Sequence, residues 1–127
     1  MKKLTLIFAL TFSVMFSSSS YAGWTKVSES TSGTVFYVDF ERIRKHGGHV
    51  YFWDLSDYEK PLSGGFLSDK SYNQGDCALF RYKPLRLTFH EEPMGGGAGI
   101  QYPSDKDWTY PAPNSVNEEI LQSVCNR

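Results

Sequence analysis

Long runs of any single kind are scarce in this 127-residue sequence. No block of like charge occurs, so the cationic stripe that tracks a nucleic-acid backbone is missing. One apolar run stands out, Leu4 to Phe16, but at about 13 residues it falls short of the roughly 20 that a spanning helix needs. Cysteine is limited to Cys77 and Cys125, and neither sits in the CxxC spacing of redox or zinc motifs. The GxSxG turn of serine hydrolases and the GxxxxGK[ST] phosphate loop are both absent. No internal repeat or low-complexity tract follows residue 22. These gaps remove membrane-spanning, nucleic-acid-binding and several common enzyme classes.

The N-terminus has an ordered pattern. Met1-Lys2-Lys3 is basic, Leu4 to Phe16 is apolar, and "SSSSYA" places small residues at Ser20 and Ala22. That order predicts a signal peptide over residues 1–22, cleaved after Ala22. The leader contains no cysteine, so it has no acceptor for a lipid anchor. The expected product is one domain, residues 23–127, exported to the periplasm, the cell surface or the medium. Without Lys2 and Lys3 it carries 11 basic and 14 acidic residues, a net charge of −3. In an oxidising compartment its two cysteines have a single intramolecular pairing, Cys77 with Cys125. Closing a loop of that length is worth about 4 kcal/mol in the chain-entropy model.

Aromatic residues make up 16% of the chain, which suits a β-rich domain. Trp24 to Ser28, "TVFYVDF" (Thr34 to Phe40) and "HVYFWDLSDY" (His49 to Tyr58) read as strands. In the third, Val50, Phe52 and Asp54 share one face and Tyr51, Trp53 and Leu55 the other. "ERIRKHGG" reads as a connection with a helical turn, and "EKPLSGGFLSDKSYNQGD" as loop. "CALFRYKPLRLTFHEE" alternates as a long strand from Cys77, with an edge, bulge or break expected at Pro84. "IQYP" reads as a return strand. Ser115 and Glu118 form a capping box for a C-terminal helix whose Val116, Ile120 and Val124 share a face. That helix can cover one face of the sheet.

Several clusters invite a chemical reading. "EPMGGGAGIQYP" (Glu92 to Pro103) lacks the lysine, hydroxyl residue and following helix of a phosphate cradle, so it reads as a flexible hairpin connection. His46 and His49 flank a Gly-Gly turn, but no third ligand is placed by spacing; both read as solvated loop residues. In His90-Glu91-Glu92 the adjacent carboxylates point to opposite faces of a strand, and the segment reads as a solvated strand end. Arg42, Arg44, Lys45, Arg81, Lys83 and Arg86 read as ordinary strand exteriors; the alternative is that Arg81, Lys83 and the arginines of the helical turn form a patch for an anionic partner. No constellation calls for a catalytic residue, a metal or a cofactor.

The segments "VFYVD", "RIRKHGGHVYFWDLSDY", "DCALFRYKPLRL", "EEPMGGGAG" and "WTYPAPNSVNEEILQSVC" occur in the order seen in the surface-adhesin protein E family of Gram-negative bacteria, and the chain resembles that family over nearly all of residues 23–127. The resemblance implies an α+β fold: a small antiparallel sheet of about five or six strands, a C-terminal helix on one face and a Cys77–Cys125 disulfide. It implies a non-enzymatic protein-binding domain, directed at host matrix or serum proteins and capable of forming a homodimer. The alternative is a periplasmic domain that binds a bacterial protein or the cell wall. Binding hot spots favour aromatic and arginine side chains, which nominates Tyr58, Phe66, Tyr72, Arg81 and Tyr102 as partner-binding residues.

Overall fold

The strand with the strongest alternation, His49–Asp57, organises the whole sheet. The computed structural model describes Ser20, Tyr21 and residues 23–127; apart from Ser20 and Tyr21, the expected leader lies outside the described residues. In chain order the strands are β1 (Ser20–Tyr21), β2 (Trp24–Glu29), β3 (Val35–Asp39), β4 (Arg44–His46), β5 (His49–Asp57), β6 (Ser68–Asp76), β7 (Arg81–His90) and β8 (Gly99–Tyr102), followed by helix α1 (Val116–Cys125). All neighbours are antiparallel, in the spatial order β1-β2-β3-β5-β6-β7-β8. Strands β3 and β4 share one side of β5, separated by a 3-10 turn at Phe40–Arg42. Asp39 caps that turn by accepting a 3.2 Å hydrogen bond from the Glu41 amide. Gly47 and Gly48, at φ +60° and +81°, close the β4–β5 hairpin in a conformation that branched residues avoid.

The antiparallel sheet, the helix and the disulfide are as expected, but the sheet holds eight described strands rather than five or six. The main addition is β6, within the segment read as loop. "SDKSYNQGD" has little β propensity, yet it pairs with β7 along its whole length and with β5 from Ser68 to Gly75; central position overrides local preference. At Pro84 the register shifts: Tyr72 faces Arg86 and Asn73 faces Pro84, leaving Leu85 as the extra residue of a bulge. Strand β7 begins at Arg81, so Cys77 lies in the turn before it.

Helix α1 covers one face of the sheet. Ser115 Oγ accepts from the Glu118 amide at 3.1 Å, and the Glu118 carboxylate accepts from the Asn114 amide at 2.9 Å, a capping arrangement displaced by one residue from the reciprocal box. Ile120, Leu121 and Val124 pack on Val38, Val50 and Phe52 to form the core. At Gly75 an added Cβ would stand 2.9 Å from Val50 and 3.2 Å from Leu121, so glycine is what lets the helix approach β6. The Cys77–Cys125 disulfide ties the helix end to the turn after β6, with Cα atoms 5.7 Å apart.

Candidate functional site

Among the described residues no α-helix lies on the other sheet face; the loop at residues 93–97 covers its Leu55 end and leaves the rest open. Alternation along β5 directs Tyr51 and Trp53 to it. The register places Tyr72 of β6 opposite Trp53, Arg86 of β7 opposite Tyr72, and Arg44 of β4 opposite Tyr51. The rings touch: Trp53 and Tyr72 centroids are 4.8 Å apart, and Tyr51 and Tyr72 stack at 6.3 Å. Trp53, Tyr72, Arg42, Arg44, Arg86 and Glu41 are among the residues that line a groove of about 520 Å³. Arg42 lies 3.4 Å from Asp39. Arg44 and Arg86 are exposed and make no ion pair among the described residues. Farther along this face, Arg81 pairs with Asp76 at 3.0 Å and sits 4.2 Å from the centre of the Trp108 ring, with Lys83 at 4.5 Å from the same ring. Asp76 is held below the usual carboxylate range, first by the Leu79 amide and then by Arg81 and His49. The basic residues read as ordinary strand exteriors are therefore gathered, because antiparallel register stacks alternate residues of four strands; Lys45 is the exception, bonding the Arg127 carbonyl at 2.6 Å.

Two further carboxylates, Asp54 and Asp69, lie on the helix side. Asn73 donates to Asp54 at 3.0 Å, and the Tyr58 hydroxyl donates to Asp69. Burial, with the Asp69 charge nearby, pushes the Asp54 carboxyl from 3.8 up to about 7. Burial also raises Asp69 and, together with the bond to Asp69, the Tyr58 phenol. The space beside Asp54 is about 10 Å³, room for one water and no substrate. Three or more metal-ligating side chains converge nowhere among the described residues. His49 Nδ1 is 2.7 Å from the Gln74 amide nitrogen, so it is held in the sheet rather than solvated in a loop. His90 is buried, with Nδ1 3.4 Å from the Gly97 carbonyl and Nε2 without a partner among the described residues; of the solvated strand end expected there, Glu91 and Glu92 are exposed and His90 is the correction, because the following loop folds over it.

That glycine loop is ordered by its own contacts. The Met94 amide donates to Asp57 and the Gly95 amide to Ser68 Oγ, both at 2.8 Å. Gly95 has φ +71°, and a Cβ there would stand 3.0 Å from Lys70 and 3.3 Å from Leu55. The loop thus roofs Leu55, and its amides are spent on side chains of the same chain. The hairpin connection expected between β7 and β8 is present, and it also serves as a cover.

Sequence and structure comparisons agree on the relationship. The family model for surface-adhesin protein E matches residues 24–126. The chain belongs to the surface-adhesin protein E family. Crystal form II of Haemophilus influenzae protein E superimposes with a TM-score of 0.72 at 17% identity, covering 91% of this chain and 97% of that one. Another protein E structure from the same organism gives 0.70 at 18% identity, covering 89% and 91%. Protein E from non-typeable Haemophilus influenzae gives 0.67 at 18% identity, covering 89% and 82%. No curated protein matches the sequence. At these identities the structural likeness establishes the fold. The family points to an adhesin-like, non-enzymatic surface protein, and no described helix is long and apolar enough to cross a membrane.

Within this protein E fold the five nominated residues do not form one surface. Tyr72 lies in the open groove, and Arg81 lies farther along the same face. Phe66 and Tyr102 meet Phe89 on the helix side, with centroids 4.9–6.3 Å apart, around a hollow of about 330 Å³. Tyr58 turns inward to Asp69. Trp53, Arg44 and Arg86 were not nominated. The parity of β5 already put Tyr51 and Trp53 on one face; what was lacking was β6, which brings Tyr72 and Arg86 beside them.

Proposed function

We propose that this chain is an exported protein-binding domain of the adhesin type, which contacts host matrix or serum proteins through its open sheet face. One observation carries this: Tyr51, Trp53 and Tyr72 stand half-buried on the open face beside two guanidinium groups that have no ion-pair partner among the described residues. Tryptophan, tyrosine and arginine are the residue types that dominate binding energy at protein interfaces. A sheet face with no partner is ordinarily polar, so an aromatic row there favours a contact surface. Export rests on the leader pattern of residues 1–22 and fits the disulfide. The exposed β8 strand, whose outer side pairs with no described strand, supports the homodimer as a second association.

Purified matrix and serum proteins immobilised in a panel test the contact. The oxidised protein is expected to bind at least one member, and Trp53→Ala or Arg86→Ala is expected to weaken that binding. Loss of signal when protease is added to intact cells supports a surface location. Protection from protease, with no panel member bound, would favour the periplasmic alternative instead.

A further inference from the structure

We propose that the groove on the open face takes an acidic saccharide, a sugar ring bearing a carboxylate or sulfate. This deepens the reading of the open face as the contact surface, and rests on it. Three guanidinium groups, from Arg42, Arg44 and Arg86, stand against one lining carboxylate, Glu41, and two of the three have no partner among the described residues. Such a surface selects an anion. Guanidinium is the cation best matched to planar or trigonal oxyanions, because it donates two parallel hydrogen bonds. The chain as a whole has a net charge of −1, so the cationic surface is local. It suits a short anionic unit rather than a continuous polyphosphate backbone, which demands an extended basic track.

The floor of the groove is aromatic. Trp53 and Tyr72 lean on one another, tilted by 35° with centroids 4.8 Å apart, and together present apolar ring surface between the arginines of β4 and of β7. A pyranose has one apolar face of C–H groups and a polar rim, so it can lie on the rings while its charged substituent reaches a guanidinium. An acidic peptide is the competing anion. Peptides gain much of their affinity on a sheet by adding a strand to a free edge. Strand β6 is paired to β7 along its whole length and to β5 from Ser68 to Gly75, and β5 is flanked by β6 on one side and by β3 and β4 on the other. On the second side only Phe52 and Trp53 lack a ladder partner among the described residues, a gap too short to seat an added strand, so side chains make the contact, as a sugar requires.

Isothermal titration of the oxidised protein with four probes tests this: a heparin hexasaccharide, hexagalacturonate, neutral maltohexaose and hexaglutamate. Binding of one or both acidic saccharides, without maltohexaose or hexaglutamate, is expected. Preference for heparin indicates a sulfated host chain as the source; preference for hexagalacturonate indicates a uronate polymer such as an envelope polysaccharide. Arg44→Ala and Arg86→Ala, both at exposed positions, are each expected to weaken binding roughly tenfold, since hydrogen bonds to charged groups are worth about that. Arg86→Lys should recover only part of the loss, because lysine keeps the charge without the fork. Phe66→Ala should leave binding unchanged. Equal binding of maltohexaose, equal or tighter binding of hexaglutamate, no acidic saccharide bound at millimolar concentration, or wild-type affinity in Arg44→Ala and Arg86→Ala would each overturn the proposal. Matrix proteins that remain bound to the open face after enzymatic removal of their acidic glycans would sink the saccharide while keeping the protein contact. Saccharide binding with no panel protein captured would do the reverse.

Discussion

Phe52 and Trp53 are neighbours on β5, yet they belong to different worlds. Phe52 points to α1 and is 1% exposed, within a cluster of aliphatic side chains. Trp53 points away, half-buried only by Tyr72 and the groove around it. The helix side is closed by apolar packing and a disulfide. The open side keeps amphipathic rings and guanidinium groups, which tolerate both water and a partner. The contrast separates two tasks along one stretch of strand: Val50 and Phe52 hold the fold under the helix, Tyr51 and Trp53 between them face the groove, and Leu55, on the same face as those two, is buried beneath the glycine loop.

The sharpest way to break the closed side is to replace both Cys77 and Cys125 with serine. Releasing the helix end should cost about 4 kcal/mol, read as a large drop in denaturant midpoint. Phe52→Ala should cost about 3–4 kcal/mol through the cavity left under the helix, whereas Trp53→Ala should cost about 1 kcal/mol of stability and act mainly on binding. Equal destabilisation by the two would blur the division of faces.

Asp54 gives the closed side a pH dependence. Its folded pKa of about 7 stands above the ordinary 3.8, so between those values the folded chain binds more protons than the unfolded one. Stability from this group is therefore complete at low pH and falls as pH rises toward 7. Asp54→Asn should remove that slope and, at pH 8, raise stability by on the order of 1–2 kcal/mol, roughly 5–10 °C in Tm. Thermal melts across pH 4–8 check it. Ser115→Ala should cost about 1 kcal/mol by uncapping α1. Smallest of all, Arg86→Ala should change stability by less than about 0.5 kcal/mol while weakening binding at the groove.

Much of the closed side was legible in the sequence. The capping box, the alternation of Val50 and Phe52 and the cysteine pair all use local patterns that the fold obeys. The open side was harder to see. "SDKSYNQGD" has no β-branched residue, and it is a strand because its neighbours pair with it on both sides. Without that strand, Tyr72 is a loop tyrosine and Arg86 a stray charge. Phe66 and Tyr102 were grouped with them by residue type alone, yet register sends them to the opposite face. The glycine loop likewise gave no local sign that Asp57 and Ser68 would hold its amides.

The most direct measurement compares Trp53→Ala with Phe66→Ala in binding to whichever matrix or serum protein the wild type captures, each variant first shown to melt as a folded protein. Loss of binding by roughly tenfold or more in Trp53→Ala, with Phe66→Ala near wild type, is the predicted result. Retained binding in Trp53→Ala with loss in Phe66→Ala would place the contact on the helix side and contradict the open face as the working surface.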